Sequence, residues 1–128
     1  MKVVRRPQRF DDEFKNIGDF ESKEWGVNDS TAGSRNLSMA HILLKPGGKI
    51  QPHVHEDYES ALFVIRGRVR QIYGTQGGFF DVGPGDFVYI PPGKVHAVEN
   101  LGDTEPAEVI VARNAPHEKI IALPSTAP

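Results

Sequence analysis

The chain is predicted to be all-β, built as a sandwich or a barrel. Three observations predict it. Glycine and proline make up 23 of 128 residues, against an average usage of about 12%. They are spread along the chain rather than run together, so they punctuate structure. The apolar runs between them, such as "FVYI" and "AEVIVAR", are short and rich in β-branched and aromatic residues, which is the signature of strands at turn-limited spacing. No segment of convincing length carries a helical stripe, and no internal repeat is visible.

The elements follow in order. Residues 1–36 are the least regular. Val3 and Val4 suggest a short strand, "DDEFKNIGDFESKEWG" carries scattered aromatics without helical spacing, and "VNDSTAGSRN" (27–36) reads as a loop. The pattern then sharpens. "LSMAHILL" (37–44) is a strand closed by the turn "KPGG". "KIQPHVH" (49–55) is the next strand, and its Pro52 calls for an edge or bulged position. "EDY" turns the chain into "SALFVIRGRVRQIY" (60–73), a long β-rich run bent at Gly67. "GTQGG" is a hairpin tip, "FFDV" follows, and "GPGD" leads into "FVYI". "PPGK" turns the chain again before "VHAVENL". "GDTEP" is expected to make a last hairpin into "AEVIVAR" (107–113), and the tail "ALPSTAP" is expected to fray. The expected organisation is one domain: an irregular N-terminal segment 1–36, a core 37–113 and a tail 114–128.

Composition narrows the function classes. The formal net charge is −2 with acids and bases interspersed, so the basic patch of a nucleic-acid binder is missing. No apolar run reaches the roughly 18 residues of a membrane span. "MKVVRRPQRF" has charges but no apolar h-region, so a cytoplasmic protein is expected. Cysteine is absent, which removes disulfides, thiolate ligands and cysteine nucleophiles. "ALFVI" and "FVYI" are apolar on both faces. One face lines the interior, and the other must be covered by the N-terminal segment or by a second copy of the chain. A homodimer is the expectation.

The chemistry concentrates in "QPHVHEDYES" (51–60). Histidines at i and i+2 of a strand project from the same face, so His53 and His55 can reach one ion. Glu59 shares their parity in an extended chain, and His96 can arrive from another strand. Imidazole with carboxylate suits iron, manganese, nickel, copper or zinc better than calcium or magnesium. An HxH in an acidic loop can also be no more than solvated histidines near carboxylates, so the surroundings decide.

Those surroundings resemble the cupin family in two motifs. Gly47 precedes His53 by five intervening residues, then come His55, three residues, Glu59, and further on Gly67. Gly85, Pro91, Gly93, His96 and Asn100 match the second motif at every spacing. The resemblance covers 47–100 directly and implies a small jelly-roll-like β-barrel of two antiparallel sheets with a metal at its mouth, held by His53, His55, Glu59 and His96. Asn100, four residues beyond His96 on the same strand face, reads as a structural hydrogen-bonding residue rather than a ligand. One spacing departs from the pattern: seven residues, not six, separate Glu59 from Gly67, and counting back from Gly67 places Ser60 where the acid belongs. An inward Ser60 would tend to turn Arg66, Arg68 and Arg70 inward too, and burying three guanidinium groups without matched carboxylates is costly. Glu59 is therefore the expected ligand, with a bulge before Gly67.

Other residues carry weaker expectations. His41 reads as a satisfied core histidine, His117 as solvated, Glu56 and Asp57 as turn residues, and Arg35, Lys94 and the arginine stripe as a solvated face. Tyr58, Phe63, Phe87 and Tyr89 are candidates for the pocket wall or for plain core. No Ser–His–Asp arrangement or phosphate-cradling glycine loop is visible, so any chemistry rests on the metal. Two readings stand: a metal-dependent enzyme on a small organic molecule (a dioxygenase, decarboxylase, isomerase or lyase), or a non-enzymatic cupin that binds a small ligand as a sensor or storage module.

Overall fold

The computed structural model describes residues 1–5, 8, 9 and 15–123. The strands are β1 (Gln8–Arg9), β2 (Phe20–Val27), β3 (Ser38–Leu44), β4 (Lys49–Val54), β5 (Ser60–Arg66), β6 (Val69–Tyr73), β7 (Gly78–Val82), β8 (Phe87–Ile90), β9 (His96–Asn100), β10 (Ala107–Arg113) and β11 (Ile121–Ala122). They form a six-stranded sheet, β1-β2-β3-β10-β5-β8, and a five-stranded sheet, β11-β4-β9-β6-β7. Neighbours pair antiparallel throughout. The all-β, two-sheet expectation holds. The barrel does not: among the described residues each sheet ends on its own edge strands, so the architecture is an open sandwich.

Alternation fills the space between the sheets. Ile42 and Leu44, Leu62 and Val64, Val88 and Ile90, and Val109 and Val111 pack from the larger sheet against Val69 and Val98 of the smaller one. The chain crosses between sheets at Gly67, whose φ of 93° lies in the left-handed region. A Cβ there would also stand 3.1 Å from the Ala107 backbone.

The inward frame of β5 is the one the sequence reading rejected. Ser60, Leu62 and Val64 are buried, while Ala61 and Ile65 are exposed. Phe63 also faces outward, packed on Phe87 with ring centroids 4.7 Å apart. The arginines nevertheless stay outside. Val109 pairs with Val64 but Glu108 pairs with Arg66, so the ladder passes over Ile65. That bulge resets the parity between Val64 and Arg66, and it makes an inward Ser60 compatible with outward arginines.

Several smaller expectations change. Val3 and Val4 lie outside any strand, whereas Phe20–Val27 is a full strand paired along β3. The loop at 27–36 contains one helical turn, α1 (Asp29–Ala32), closed by a reciprocal capping box between Asn28 and Thr31. "GDTEP" is no hairpin, because β9 and β10 belong to different sheets. Pro52 sits where the β4–β9 register shifts, as its missing N–H demands. Ala122, the first residue of the expected tail, pairs with His53 beside Ile121 in β11 rather than fraying, and residues 124–128 lie outside the described residues.

Candidate metal centre

His53 is on β4 and His96 on β9, and the two are direct Cα partners in the ladder. His55 follows one residue after β4. The turn before β9 is tied to it: the Gly93 N–H donates to the His55 carbonyl at 2.8 Å, with Gly93 at a φ of 74°. Local pairing thus brings together the two histidine-bearing segments, as the sequence reading expected. Ring centroids are 4.1 Å apart for His53–His96, 4.9 Å for His53–His55 and 5.1 Å for His55–His96. All three rings are buried, and each offers a nitrogen within 4.8 Å of the others.

Hydrogen bonds assign the tautomers. His53 Nδ1 lies 2.7 Å from the Gln51 carbonyl, His55 Nδ1 2.7 Å from the Lys119 carbonyl, and His96 Nδ1 3.0 Å from the Lys94 carbonyl. A carbonyl can only accept, so each Nδ1 carries the proton and each Nε2 keeps its lone pair. The Tyr58 hydroxyl adds a further contact to His55 Nδ1 at 2.7 Å and is itself anchored on the Lys119 backbone. Burial, aided by the neighbouring His96, lowers His53 to about 3. Burial lowers His55 to about 4 and also depresses His96. Three neutral, oriented imidazoles at near-neutral pH are the donor set that a divalent transition metal takes. The residues fit the ion that the sequence reading expected.

Glu59 does not join them. Its side chain is exposed, and its backbone N–H binds the Asn114 side chain at 3.0 Å. The inward β5 position belongs to Ser60, so the expected four-residue set of His53, His55, Glu59 and His96 contracts to three histidines. Glu56 and Asp57 are exposed turn residues.

An acid does reach the same cavity, from a segment without a sequence pattern. Glu118, just before β11, is buried between Lys23 of β2 (Nζ–Oε1 2.6 Å) and Arg113 of β10 (Nη2–Oε2 2.9 Å). Burial alone would raise its pKa, but the Arg113 and Lys23 charges outweigh that and hold it at about 2. Lys23, Ser60, Arg113 and Glu118 line one cavity with the three histidines. Arg113 had a readable signal, since it continues the inward alternation of Ala107, Val109 and Val111. Glu118 had none.

The remaining candidates are placed as follows. Asn100 is structural: Nδ2 donates to the carbonyls of Leu44, Lys45 and Glu105 at 3.0–3.3 Å, and Oδ1 accepts from Gly102 N–H at 2.9 Å. His41 is satisfied, but by Glu108 (2.6 Å) on the outer face rather than in the core. Exposed His117 pairs with Asp29 at 3.1 Å. Phe87 is outside the pocket and exposed. Tyr89 walls a second, more open cavity that also reaches His96.

An open two-sheet all-β fold with a buried three-histidine cluster defines a class, and comparison with known proteins gives the family. The chain belongs to the cupin domain family, whose model matches residues 40–113. It is 35% identical over 94 residues to a germin-like protein, subfamily T member 3, of Arabidopsis thaliana, covering 70% of this chain and 40% of that one. It is 38% identical over 71 residues to the oxalate decarboxylase OxdC of Bacillus subtilis, covering 53% of this chain and 18% of that one. The fold matches the Lactobacillus farciminis oxalate decarboxylase in its formate complex, with a TM-score of 0.74 at 21% identity over 91% of this chain and 33% of that one. It also matches a Bacillus subtilis oxalate decarboxylase described with Mn(II) centres, with a TM-score of 0.73 at 22% identity, again over 91% of this chain and 30% of that one. The chain therefore spans less than half the length of each of these relatives.

Proposed function

We propose that the protein is a metal-dependent cupin enzyme acting on a small organic molecule, with His53, His55 and His96 as the protein ligands of a divalent transition metal. The observation that supports this is the fixed tautomer of all three rings, each Nδ1 bound to a backbone carbonyl and each Nε2 left to donate. When bound, such an ion supplies Lewis acidity and, if redox-active, access to oxygen chemistry. The chain's own residues do the rest. The carbonyls of Gln51, Lys119 and Lys94 orient the rings, and burial keeps them neutral. Manganese is the first metal to try, since a protein of the same fold is described with Mn(II) centres.

Titration of chelator-stripped protein with Mn(II), Fe(II), Ni(II), Cu(II) and Zn(II), followed by calorimetry and, for manganese, by spin resonance, tests the reading. One ion per chain is expected, lost in His96→Ala. No binding by any of the five metals would refute it. Metal binding without turnover across a panel of small acids, diols and diketones would leave a ligand-binding module instead of an enzyme.

A second copy of the chain is the proposed partner. Phe87 and Tyr89 are 76% and 61% exposed on the outer side of β8, and Met39 and Ile65 extend the apolar area across the same sheet. Light scattering is expected to give twice the 14.2 kDa chain mass, falling to the monomer in Phe87→Lys/Tyr89→Lys. A monomer for the parent protein would refute it.

A further inference from the structure

The cavity beside the histidines contains a cation whose hydrogen bonding is incomplete. Arg113 is 6% exposed, and only Nη2 has a carboxylate partner, Glu118 Oε2. Nε and Nη1 are buried and make no hydrogen bond. Three N–H groups of a permanently charged fork thus lack acceptors, whereas buried polar groups in native folds are usually paired. Glu118 meets only Nη2, and its other oxygen accepts from Lys23 at 2.6 Å.

Arg113 is the Cα partner of Ser38 on β3 and of Ser60 on β5. Both serines are buried, and Ser38 Oγ also has no partner. Ser60 lines the cavity with Arg113 and the histidines, and the Arg113 charge is felt at both His55 and His96. The inward Ser60 frame is what makes this row. Had Glu59 faced inward, its carboxylate would have joined the wall that Ser60 now forms, next to Arg113.

We propose that Arg113, with Ser60 beside it in the cavity wall, is the receptor for a carboxylate on the small molecule that occupies the histidine site. This deepens the metal-dependent reading and rests on it for the ligand's other end. The chemical class is a small organic anion with its carboxylate on Arg113 and an oxygen-bearing carbon toward the three Nε2 atoms. The cavity is narrow, about 50 Å³, which by the roughly 10–15 Å³ that admits one water leaves room for only a few non-hydrogen atoms. Binding uses a charge-assisted hydrogen bond to a preformed donor. An uncharged isostere leaves the guanidinium unpaired and is selected against.

The probes are glycolate and its neutral isostere glycolamide, titrated by NMR shift change into metal-free and metal-loaded protein. Glycolate is expected to bind at least about tenfold more tightly than glycolamide in both forms, since one unmatched charged hydrogen bond is worth about that factor or more. In Arg113→Gln/Glu118→Gln, which removes the buried pair together, the preference is expected to vanish while metal affinity stays within about threefold. Arg113→Lys keeps a charge for Glu118 and serves if the double variant does not fold; it is expected to lose most of the preference. Equal binding of the two probes by the parent protein, or an undiminished preference in a folded Arg113 variant, overturns the proposal. Failure of the metal reading is a separate result: no metal would bind, while the glycolate preference of the metal-free protein would persist.

Discussion

Acidifying the metal-free protein from pH 7.5 to pH 5 should destabilise it through the same histidines that prepare the site. Burial holds His53 at about 3 against an ordinary 6.5, and His55 at about 4. Both folded values lie below the unfolded one, so the unfolded chain takes up protons first as the pH falls. Their contribution to stability is complete above pH 6.5 and is lost as the pH drops from there toward 4 and 3. Between pH 7.5 and pH 5 the linkage relation gives about 2 kcal/mol for each residue, roughly 4 kcal/mol for the two as an upper figure. Urea unfolding at the two pH values, followed by fluorescence of Trp25, measures their sum together with the share of His96, which burial depresses as well. Repeating it with His53→Gln isolates one share, and the pH-dependent loss should shrink by about 2 kcal/mol. If parent and variant lose the same stability on acidification, His53 is not held neutral by the fold, and the case for a preformed donor set fails with it.

Three further outcomes follow from the same contacts. Tyr58→Phe removes the hydroxyl that touches His55 Nδ1 and braces Lys119; metal affinity measured by calorimetry should fall by about 10-fold or more, within the range for residues that orient a ligand. Asn100→Ala leaves the carbonyls of Leu44, Lys45 and Glu105 without their shared donor, and should cost about 3 kcal/mol or more in chemical denaturation. Glu59→Gln changes an exposed side chain outside the cluster; its metal affinity should match the parent's, and a loss as large as that of His96→Ala would restore Glu59 to the ligand set.

The histidines were legible because short-range rules fix them. Two residues of like parity on a strand share a face, and the turn glycines and prolines before His96 set where its strand begins. His53 and His96 then meet as ladder partners. The β2 strand was not legible, because Lys23 occupies a buried position beside Trp25 and breaks the polar–apolar alternation that identifies strands. Its burial is compensated by Glu118, 95 residues away in sequence. The crossover after β9 was misread as a hairpin for a related reason: "GDTEP" has turn chemistry, and turn chemistry does not say to which sheet the next strand returns.

The choice between Glu59 and Ser60 turned on where the bulge before Gly67 falls, since alternation from the acid as far as Arg66 is what argues against Ser60. Burial of three guanidinium groups is a sound objection only if parity is conserved over that distance. The bulge at Ile65 removes the condition, since Glu108 pairs with Arg66 while Val109 still pairs with Val64. The consequence reaches the electrostatics of the site. Three neutral imidazoles and a serine contribute no negative charge, whereas an inward Glu59 would have contributed one. The acid that does enter the cavity, Glu118, is committed to Lys23 and Arg113, and breaking a buried pair to free it costs about 3–5 kcal/mol. The chain therefore presents the cavity with neutral donors on one wall and an incompletely paired cation on another. That distribution of charge is the basis of the proposed preference for an anionic ligand, and the bulge at Ile65 is what lets Ser60 rather than Glu59 face it.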